Sequence, residues 1–498
     1  MAGIEVLERR GPAQVEVSGL AYDSRTMEPG AVFFALKGSR TDGRLFIDQA
    51  LSQGAAAIIV QDELGPSPDM EGVALIRVAD ARQALAQAAH AFYHQPSQRL
   101  KLIGLTGTSG KTTTTYALES IFKAAGLNVG VVGTVNYRFG GRELAASVTT
   151  PQSSDLARLL ALMAAEGVEA AMLEVSSHAL DQSRVAGCRF EVVGFTNLSR
   201  DHLDYHSDME SYFQAKRRLF TEFESAGRAA VNIDDPYGRR LKDELAEAAL
   251  TYGLGSGAEV TAQKVNLNGT GIRAEIITPA GRIELASPLL GRFNLSNLLC
   301  AAALAFEAGI RPEAVASGLK GLKSVPGRME EVGRPFGRRV IVDYCHKVEA
   351  LEQALSEARN LTPGRLVTVL GCGGDRDRGK RPLMGRVAAQ KSDVVIITSD
   401  NPRSEDPVEI MDQIASGLED QPVRRFSSQE TPPGSGLYTL LEDRRAAIRL
   451  AIETAGEKDT VIICGKGHEN YQIVGHERLH LDDREEALAA LQRKAAEK

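Results

Sequence analysis

Apolar residues along this chain follow two rhythms. Short continuous runs such as LIGL (102–105), VVII (394–397) and TVIIC (460–464) are bounded by charged or turn-forming residues. Between them lie stretches with an apolar position every three or four residues, as in EALEQALSEAR (349–359) and AAIRLAIETAG (446–456). Continuous apolar strands alternating with helical periods predict a parallel sheet covered by helices on both faces, hence an α/β class. The last third alternates most regularly: RRVIVDY, EALEQALSEAR, RLVTVLG, LMGRVAAQ, DVVIITS, AAIRLAIETAG, DTVIICG. In such sheets ligands bind beyond the carboxyl ends of the strands. Four polar sequences, DYCH, GGDRDRGKRP, SDNPR and GKGHENYQ, each follow directly on a strand and are predicted to share one sheet edge.

A chain of 498 residues exceeds what one core serves, and three domains are expected. Composition breaks at HQPSQRLK (94–101) and LKSVPGRMEEV (322–332) set the divisions: 1–97, 98–325 and 326–498. The first is read as α/β, the second as a P-loop domain with a parallel sheet, the third as Rossmann-like. With 43% hydrophobic and 25% charged residues, the chain is neither disordered nor fibrous. Its 58 basic and 65 acidic residues leave a net charge of −7, which gives no reason to expect a nucleic-acid partner. An anionic substrate must therefore be held by local features. The five cysteines are scattered, with no C-x-x-C pair, which points to a reducing compartment rather than disulfides or structural zinc. No run resembles a signal peptide or approaches the ~20 apolar residues of a membrane helix. A cytoplasmic protein without a membrane partner, acting as a monomer, is the expectation.

GLTGTSGKTTTT (104–115) follows a strand and opens a helix, the context a phosphate loop requires. Gly107 and Gly110 let backbone N–H groups approach phosphate oxygens, with Thr108, Ser109 and Thr113 alongside. Lys111 can reach the terminal phosphates, and Thr112 can offer a hydroxyl to Mg²⁺. Position 105 is leucine where the commonest P-loop pattern has glycine, so the spacing is a variant. Mg²⁺ needs further oxygen ligands, and Glu174 in LEVSSH, at a strand end, is the candidate. ATP is the expected nucleotide.

In DHLDYHSDMESYFQAKRRLF (201–220) a helix is predicted, capped by Ser207 or Asp208. Tyr212, Lys216, Leu219 and Phe220 share its apolar face, which turns Lys216 inward and Arg217 and Arg218 outward. A buried lysine either snorkels to water or loses its charge. A neutral amine can react with CO₂, giving a carbamate able to ligate Mg²⁺. On spacing alone, snorkelling is the commoner outcome.

Taken together, TGTSGKTTT, EVSSHALDQSRV, FTNLSRDHLDYH, QAKRRLF, GRFNLSN, VPGRME, DYCHKVEAL, GGDRDRGKRPLM, SDNPR and GKGHENYQ resemble the Mur ligases. The likeness is strongest to the branch that adds the third residue of the peptidoglycan stem peptide. It spans all three expected domains in order. It implies an N-terminal domain for the UDP end, a central ATPase, and a C-terminal domain receiving the amino acid. It also implies a carbamylated Lys216 and places His202 beside a second Mg²⁺ site. YDSRTMEPGAVFFALKG resembles the N-terminal signature, implying UDP-sugar contacts from Ser24, Ser39, Arg40 and Thr41. Thr149, Thr150, Ser176, Gln182 and Arg184 are implied to hold the muramoyl-dipeptide. Asn294 is implied at adenine, and Arg328 and Asp343 at phosphates and ribose. Each could otherwise be a cap or a surface ion pair. The implied reaction is ATP-dependent amide formation on UDP-MurNAc-L-Ala-D-Glu through an acyl phosphate.

The incoming residue is read from TSDNPRSEDP (398–407). Arg403 offers a planar donor fork for the distal carboxylate of meso-diaminopimelate, and Asp400 can accept from an ammonium. L-Lysine lacks that carboxylate. Within the resembled family DNPR marks the diaminopimelate enzymes, and Asn401, Pro402, Arg376, Gly465 and Glu469 are implied to complete the pocket. Two residues depart from the pattern: Ser109 stands where asparagine is usual, and Val348 where proline is usual. The competing readings are a lysine-adding ligase, a folylpolyglutamate synthetase, and a non-catalytic scaffold of the same fold.

Overall fold

The computed structural model describes residues 4–38, 41–63, 72–223, 227–427 and 434–496. The first sheet runs in the order Val6–Arg10, Ala74–Val78, Ala57–Val60, Ala31–Phe34, Gly19–Ala21. Its last four strands are mutually parallel, and Val6–Arg10 joins antiparallel at the edge. Helix Ala81–Phe92 covers one face, its first turn capped by Asp80, whose carboxylate accepts from the N–H groups of Arg82 and Gln83.

The central sheet has eight strands: Ala249–Tyr252, Ala229–Asn232, Val192–Phe195, Lys101–Thr106, Ala170–Glu174, Val129–Val132, Asn136–Phe139 and Arg142–Ala145. The first six are parallel and the last two form an antiparallel hairpin. Both faces are buried, which is why these strands read as unbroken apolar runs. Helix Arg292–Glu307 is apolar all round from Leu298 to Phe306 and lies within the core beside helix Lys111–Ala124, which also packs on helix Pro312–Gly321. A separate antiparallel sheet, Thr261–Asn268, Gly271–Thr278 and Gly281–Ser287, was not anticipated from the pattern. Its first strand, TAQKVNLN, is mostly polar and largely exposed, so only a short alternation, Val265 and Leu267, marks it.

The C-terminal sheet runs Glu330–Glu331, Arg339–Asp343, Thr460–Cys464, Leu366–Leu370, Val394–Ile397, Leu437–Leu440, Arg424–Arg425. All pairs are parallel except the first, whose short strand lies inside the segment read as a joint. The four loops expected on one edge do leave the carboxyl ends of adjacent parallel strands. A hairpin, Tyr471–Val474 with Glu477–His480, stands beside them and pairs with Arg403 through a single bridge to Val474. Among the described residues no helix is long and apolar enough to cross a membrane.

The domains touch at a few defined places. Tyr22 donates from its hydroxyl to Asp155 at 2.7 Å, joining the first domain to the second. The Gly269 carbonyl, in a turn of the three-stranded sheet, accepts from Arg334 at 3.3 Å and Arg339 at 3.5 Å. Lys347 of the third domain forms an ion pair with Asp201 of the second.

Candidate active site

Strand Lys101–Thr106 runs into a four-residue turn, and helix Lys111–Ala124 follows at once. Gly107 has φ +143°, and a Cβ there would lie 1.9 Å from Thr196 Oγ1, so only glycine fits. The helix has no side-chain cap, which leaves its first N–H groups for an anion. Lys111 Nζ folds back onto this loop, donating to the carbonyls of Gly107 at 2.7 Å and Thr108 at 3.2 Å. Burial lowers its pKa to about 8, with Lys347 adding like charge and Glu174 opposing.

Thr112 Oγ1 donates to Glu174 Oε2 at 3.1 Å, and Thr134 holds the same carboxylate through its N–H at 3.1 Å and its hydroxyl at 2.9 Å. Arg328 reaches Thr112 Oγ1 from the third domain at 3.3 Å. A cavity of about 260 Å³ opens here, lined among others by Lys111, Thr112, Glu174, His202, Arg328, Asp343 and Lys347. A hydroxyl beside a carboxylate is a hard oxygen set that fits Mg²⁺. Among the described residues no three His, Cys, Asp or Glu side chains gather to hold a metal alone, so phosphate and water oxygens would supply the remaining ligands.

Asp343 is buried and its carboxylate accepts from the Met329 N–H at 2.7 Å. Burial raises its pKa, with Arg328 opposing. Asn294 is not brought to the cavity. It is fully buried, donates to the Leu290 carbonyl at 2.7 Å and accepts from Asn297 at 3.1 Å. Phe293 and Asn297 of the same helix line the wall instead.

Helix Met209–Thr221 opens on Asp208, whose carboxylate accepts from the Ser211 N–H at 2.7 Å while Ser211 Oγ accepts from the Asp208 N–H at 3.1 Å. Tyr212, Lys216, Leu219 and Phe220 are all buried, as the periodicity predicts. Arg217 and Arg218 are half-buried in ion pairs with Glu244 and Glu222. Lys216 does not snorkel: it is 1% exposed, and its Nζ donates to the Gly107 carbonyl at 3.0 Å. That oxygen already receives Lys111. Burial drives the Lys216 pKa well below the ordinary lysine value, with Lys111 and Lys347 reinforcing the shift. His202 sits at φ +51°, its Nε2 3.1 Å from Asp201 Oδ2. Burial lowers its pKa to about 4 against the pull of Asp201, which leaves a neutral imidazole near pH 7.

Thr149, Thr150, Ser176, Gln182 and Arg184 form one connected group around strand Ala170–Glu174. Thr149 Oγ1 lies 3.1 Å from Thr134 Oγ1, and Thr150 Oγ1 donates to the Glu174 carbonyl at 2.8 Å and accepts from the Ser176 N–H at 3.0 Å. Arg184 donates to the Thr150 carbonyl at 2.9 Å and to Gln182 Oε1 at 2.8 Å. Ser24 is buried and donates to Gln49 Oε1 at 2.9 Å, while exposed Thr41 closes a turn with Gly38. Both belong to the first domain. Ser39 and Arg40 lie outside the described residues.

On the C-terminal edge the loops are wired to one another. Asn401 donates to Glu469 at 2.9 Å, and its Oδ1 accepts from the Ile473 N–H at 2.9 Å and from Lys466 Nζ at 3.3 Å. Lys466, wholly buried, also pairs with Glu469 at 3.0 Å. Gly465 has φ +113°, and a Cβ there would stand 2.7 Å from Asp400 Oδ2. Burial pushes the Asp400 carboxyl up, but Lys466 and Arg444 outweigh it and hold the group below the usual carboxylate value. Arg403, at φ +53°, follows buried Pro402 and donates to the Gly374 carbonyl at 2.7 Å. Arg376 is exposed, its guanidinium on the Asp375 carbonyl.

The sequence reading missed Arg381, Lys466, Thr134 and the Asp201–Lys347 pair. Arg381 is fully buried and binds Glu405 through both terminal nitrogens, at 3.0 and 2.9 Å. Lys466 lay within GKGHENYQ, but neither residue type nor spacing marked it as buried.

The chain matches the Mur ligase family catalytic domain over residues 16–93, the Mur ligase middle domain over 105–305, and the Mur ligase glutamate ligase domain over 327–467. A UDP-N-acetylmuramoyl-L-alanyl-D-glutamate--2,6-diaminopimelate ligase of Geobacter metallireducens is 46% identical over 491 residues, covering 97% of this chain and 96% of the relative. The protein of that name from Geobacter sulfurreducens is 45% identical, covering 98% and 97%. A solved structure of a ligase of the same name superposes with TM-score 0.67 at 33% identity, covering 96% of this chain and 95% of the other. A Mycobacterium tuberculosis folylpolyglutamate synthase shares the fold at TM-score 0.62 and 17% identity, covering 77% of this chain and 92% of the other. Phosphate loop, buried lysine and linked C-terminal loops thus stand in a chain that matches its relatives from end to end: it belongs to the Mur ligase family.

Proposed function

We propose that the protein is the ATP-dependent ligase that joins meso-diaminopimelate to the D-Glu side-chain carboxylate of UDP-MurNAc-L-Ala-D-Glu. The observation that carries this reading is Arg403 on the edge that also holds Asp400, Asn401 and Glu469, in a chain 46% identical to a ligase named for that amino acid. The lysine-adding reading loses its basis, since L-lysine has no distal carboxylate for an arginine fork there to bind. The reading takes the chain as a cytoplasmic monomer divided at 1–97, 98–325 and 326–498, which the change from sheet to sheet supports.

In the first step the D-Glu carboxylate attacks the γ-phosphorus of ATP and ADP leaves, producing an acyl phosphate. The loop N–H groups and Lys111 hold the phosphates, so catalysis here is positioning and charge compensation. Thr112 and Glu174 would hold Mg²⁺, which when bound neutralises phosphate charge. Thr150, Ser176 and Arg184 orient the dipeptide beside them. Phe293 and Asn297 are assigned to the adenine end in place of Asn294, and Asp343 and Arg328 to the ribose and phosphates. In the second step the amine attacks the activated carbonyl, loses a proton, and inorganic phosphate departs. Lys216 is read as the amine that takes up CO₂; sharing one carbonyl with Lys111 favours its neutral form. The added carbamate charge would face His202 and the phosphates.

Phosphate release with ATP, Mg²⁺ and the UDP-dipeptide, comparing meso-diaminopimelate with L-lysine, tests the reading. Strong preference for diaminopimelate is expected, and Arg403→Ala should lower its kcat/KM by about 100-fold, roughly 3 kcal/mol. Equal use of both amino acids overturns it. A ¹³C carbamate signal from labelled bicarbonate, absent in Lys216→Met, checks the lysine assignment.

A further inference from the structure

Lys347 is the residue before helix Val348–Asn360, yet its side chain makes no capping bond. Its ammonium instead crosses to the central domain and pairs with Asp201. Both side chains are largely buried, 18% and 15% exposed, so the pair is shielded from bulk water. Asp201 faces His202 Nε2 as well, at 3.1 Å. Lys347 also lines the cavity with Lys111, Thr112 and Arg328.

Lys111, Lys347 and Arg328 meet at the cavity with Glu174 and Asp343 in its lining, and Asp201 stands beside them within the field of Lys111. Glu174 is already bound by two threonines, and Asp343 by the Met329 N–H. Asp201 is therefore the carboxylate left for Lys347, and a triphosphate entering this space brings more negative charge than Asp201 offers.

We propose that Lys347 is a positioning residue that exchanges partners, leaving Asp201 for the terminal phosphate oxygens when ATP binds, so that the nucleotide's own charge draws the C-terminal domain closed. This rests on the assignment of the 107–113 loop as the ATP site. Lys347 acts on the phosphoryl group through Coulomb attraction from a different domain than Lys111, which makes closure and γ-phosphate recognition a single event. An ion pair serving only to join the domains would not distinguish ADP from ATP.

The test is titration of the full-length protein with ADP and with a non-hydrolysable ATP analogue, in Mg²⁺. Lys347→Met should weaken the analogue by about tenfold or more and ADP by less than about twofold. Lys347→Arg should restore the analogue's affinity. Asp201→Asn, which removes the competing carboxylate, should tighten the analogue with ADP unchanged. Equal losses for both nucleotides in Lys347→Met, or weaker analogue binding in Asp201→Asn, overturn the exchange. If Lys347→Met does not fold, as thermal unfolding would report, Asp201→Asn decides by the same criterion. Failure of the unsubstituted protein to bind either nucleotide would instead overturn the assignment of the loop.

Discussion

Arg444 and Asp483 face each other with neither side chain exposed, bonded at 2.7 Å through both carboxylate oxygens. Arg444 also donates to the carbonyls of Ser399 and Cys464, so it braces two of the loops on the C-terminal sheet edge from beneath. Removing one partner of such a pair strands the other charge, and Asp483→Ala is expected to cost about 3–5 kcal/mol in denaturant unfolding. Glu405 works similarly nearer the surface, binding Arg381, Arg378 and the Asp375 N–H. Its hydrogen bonds to Arg381 hold its carboxyl at about 2, below the ordinary 4.5, against burial. Because the folded value is depressed, this contribution to stability is whole above pH 4.5 and fades as pH falls toward 2. The stability gap between the parent and Glu405→Gln, followed by unfolding at successive pH values, should narrow across that window. Residues of this kind were the least legible in the sequence. Lys216 could be found because a cation stood on an apolar helical face, but Arg381, Arg444 and Lys466 sit among other polar residues. Only the folded chain shows them buried.

Elements were read more reliably, because a strand buried on both faces leaves an unbroken apolar run and a helix leaves its period. The exposed three-stranded sheet and the Tyr471–His480 hairpin escaped for the opposite reason: neither needs an apolar face of its own. Val348 illustrates how a departure from family pattern is absorbed by an element. It is the first residue of its helix, where proline is well tolerated, and Lys347 before it holds φ −120° and ψ 153°, the conformation a following proline would impose. The loop thus keeps its path without the ring. Val348→Pro is expected to raise stability by about 0.4–1 kcal/mol, seen as a higher denaturant midpoint, by restricting the unfolded chain. A drop in stability would mean that the Val348 N–H has a partner.

At the scale of the molecule, a cleft of about 1150 Å³ separates the hairpin of the central domain from the C-terminal domain, with Thr134, Thr149 and Glu469 on its walls. An acyl phosphate must be kept from water, so nucleotide and UDP-dipeptide together should narrow this cleft. Small-angle scattering is expected to show a smaller radius of gyration with both ligands than with either alone. Hydrogen exchange should slow in 134–149 and 468–478 under the same conditions. The order of the domains and the shared sheet edge were legible from sequence, since both follow from chain order and strand alternation. The contacts between domains were not, because each consists of one or two side chains with no pattern to betray them.

Two of those contacts lie at the two ends of one strand. Arg339, which grips Gly269, begins strand Arg339–Asp343, and Lys347, which reaches Asp201, lies four residues beyond its end. Four steps of extended chain span ~13 Å, so this strand is a stiff spar, stepped at its foot against the central domain and moored at its head. If the mooring slips while the foot holds, a swing of roughly 20° carries the head about 4.5 Å on that radius. Asp343 rides at the head, and the neighbouring loops are lashed to it through the sheet. The amino-acid pocket would then travel as one rigid fitting, keeping its shape for diaminopimelate in every position of the arc and changing only its distance from the phosphate.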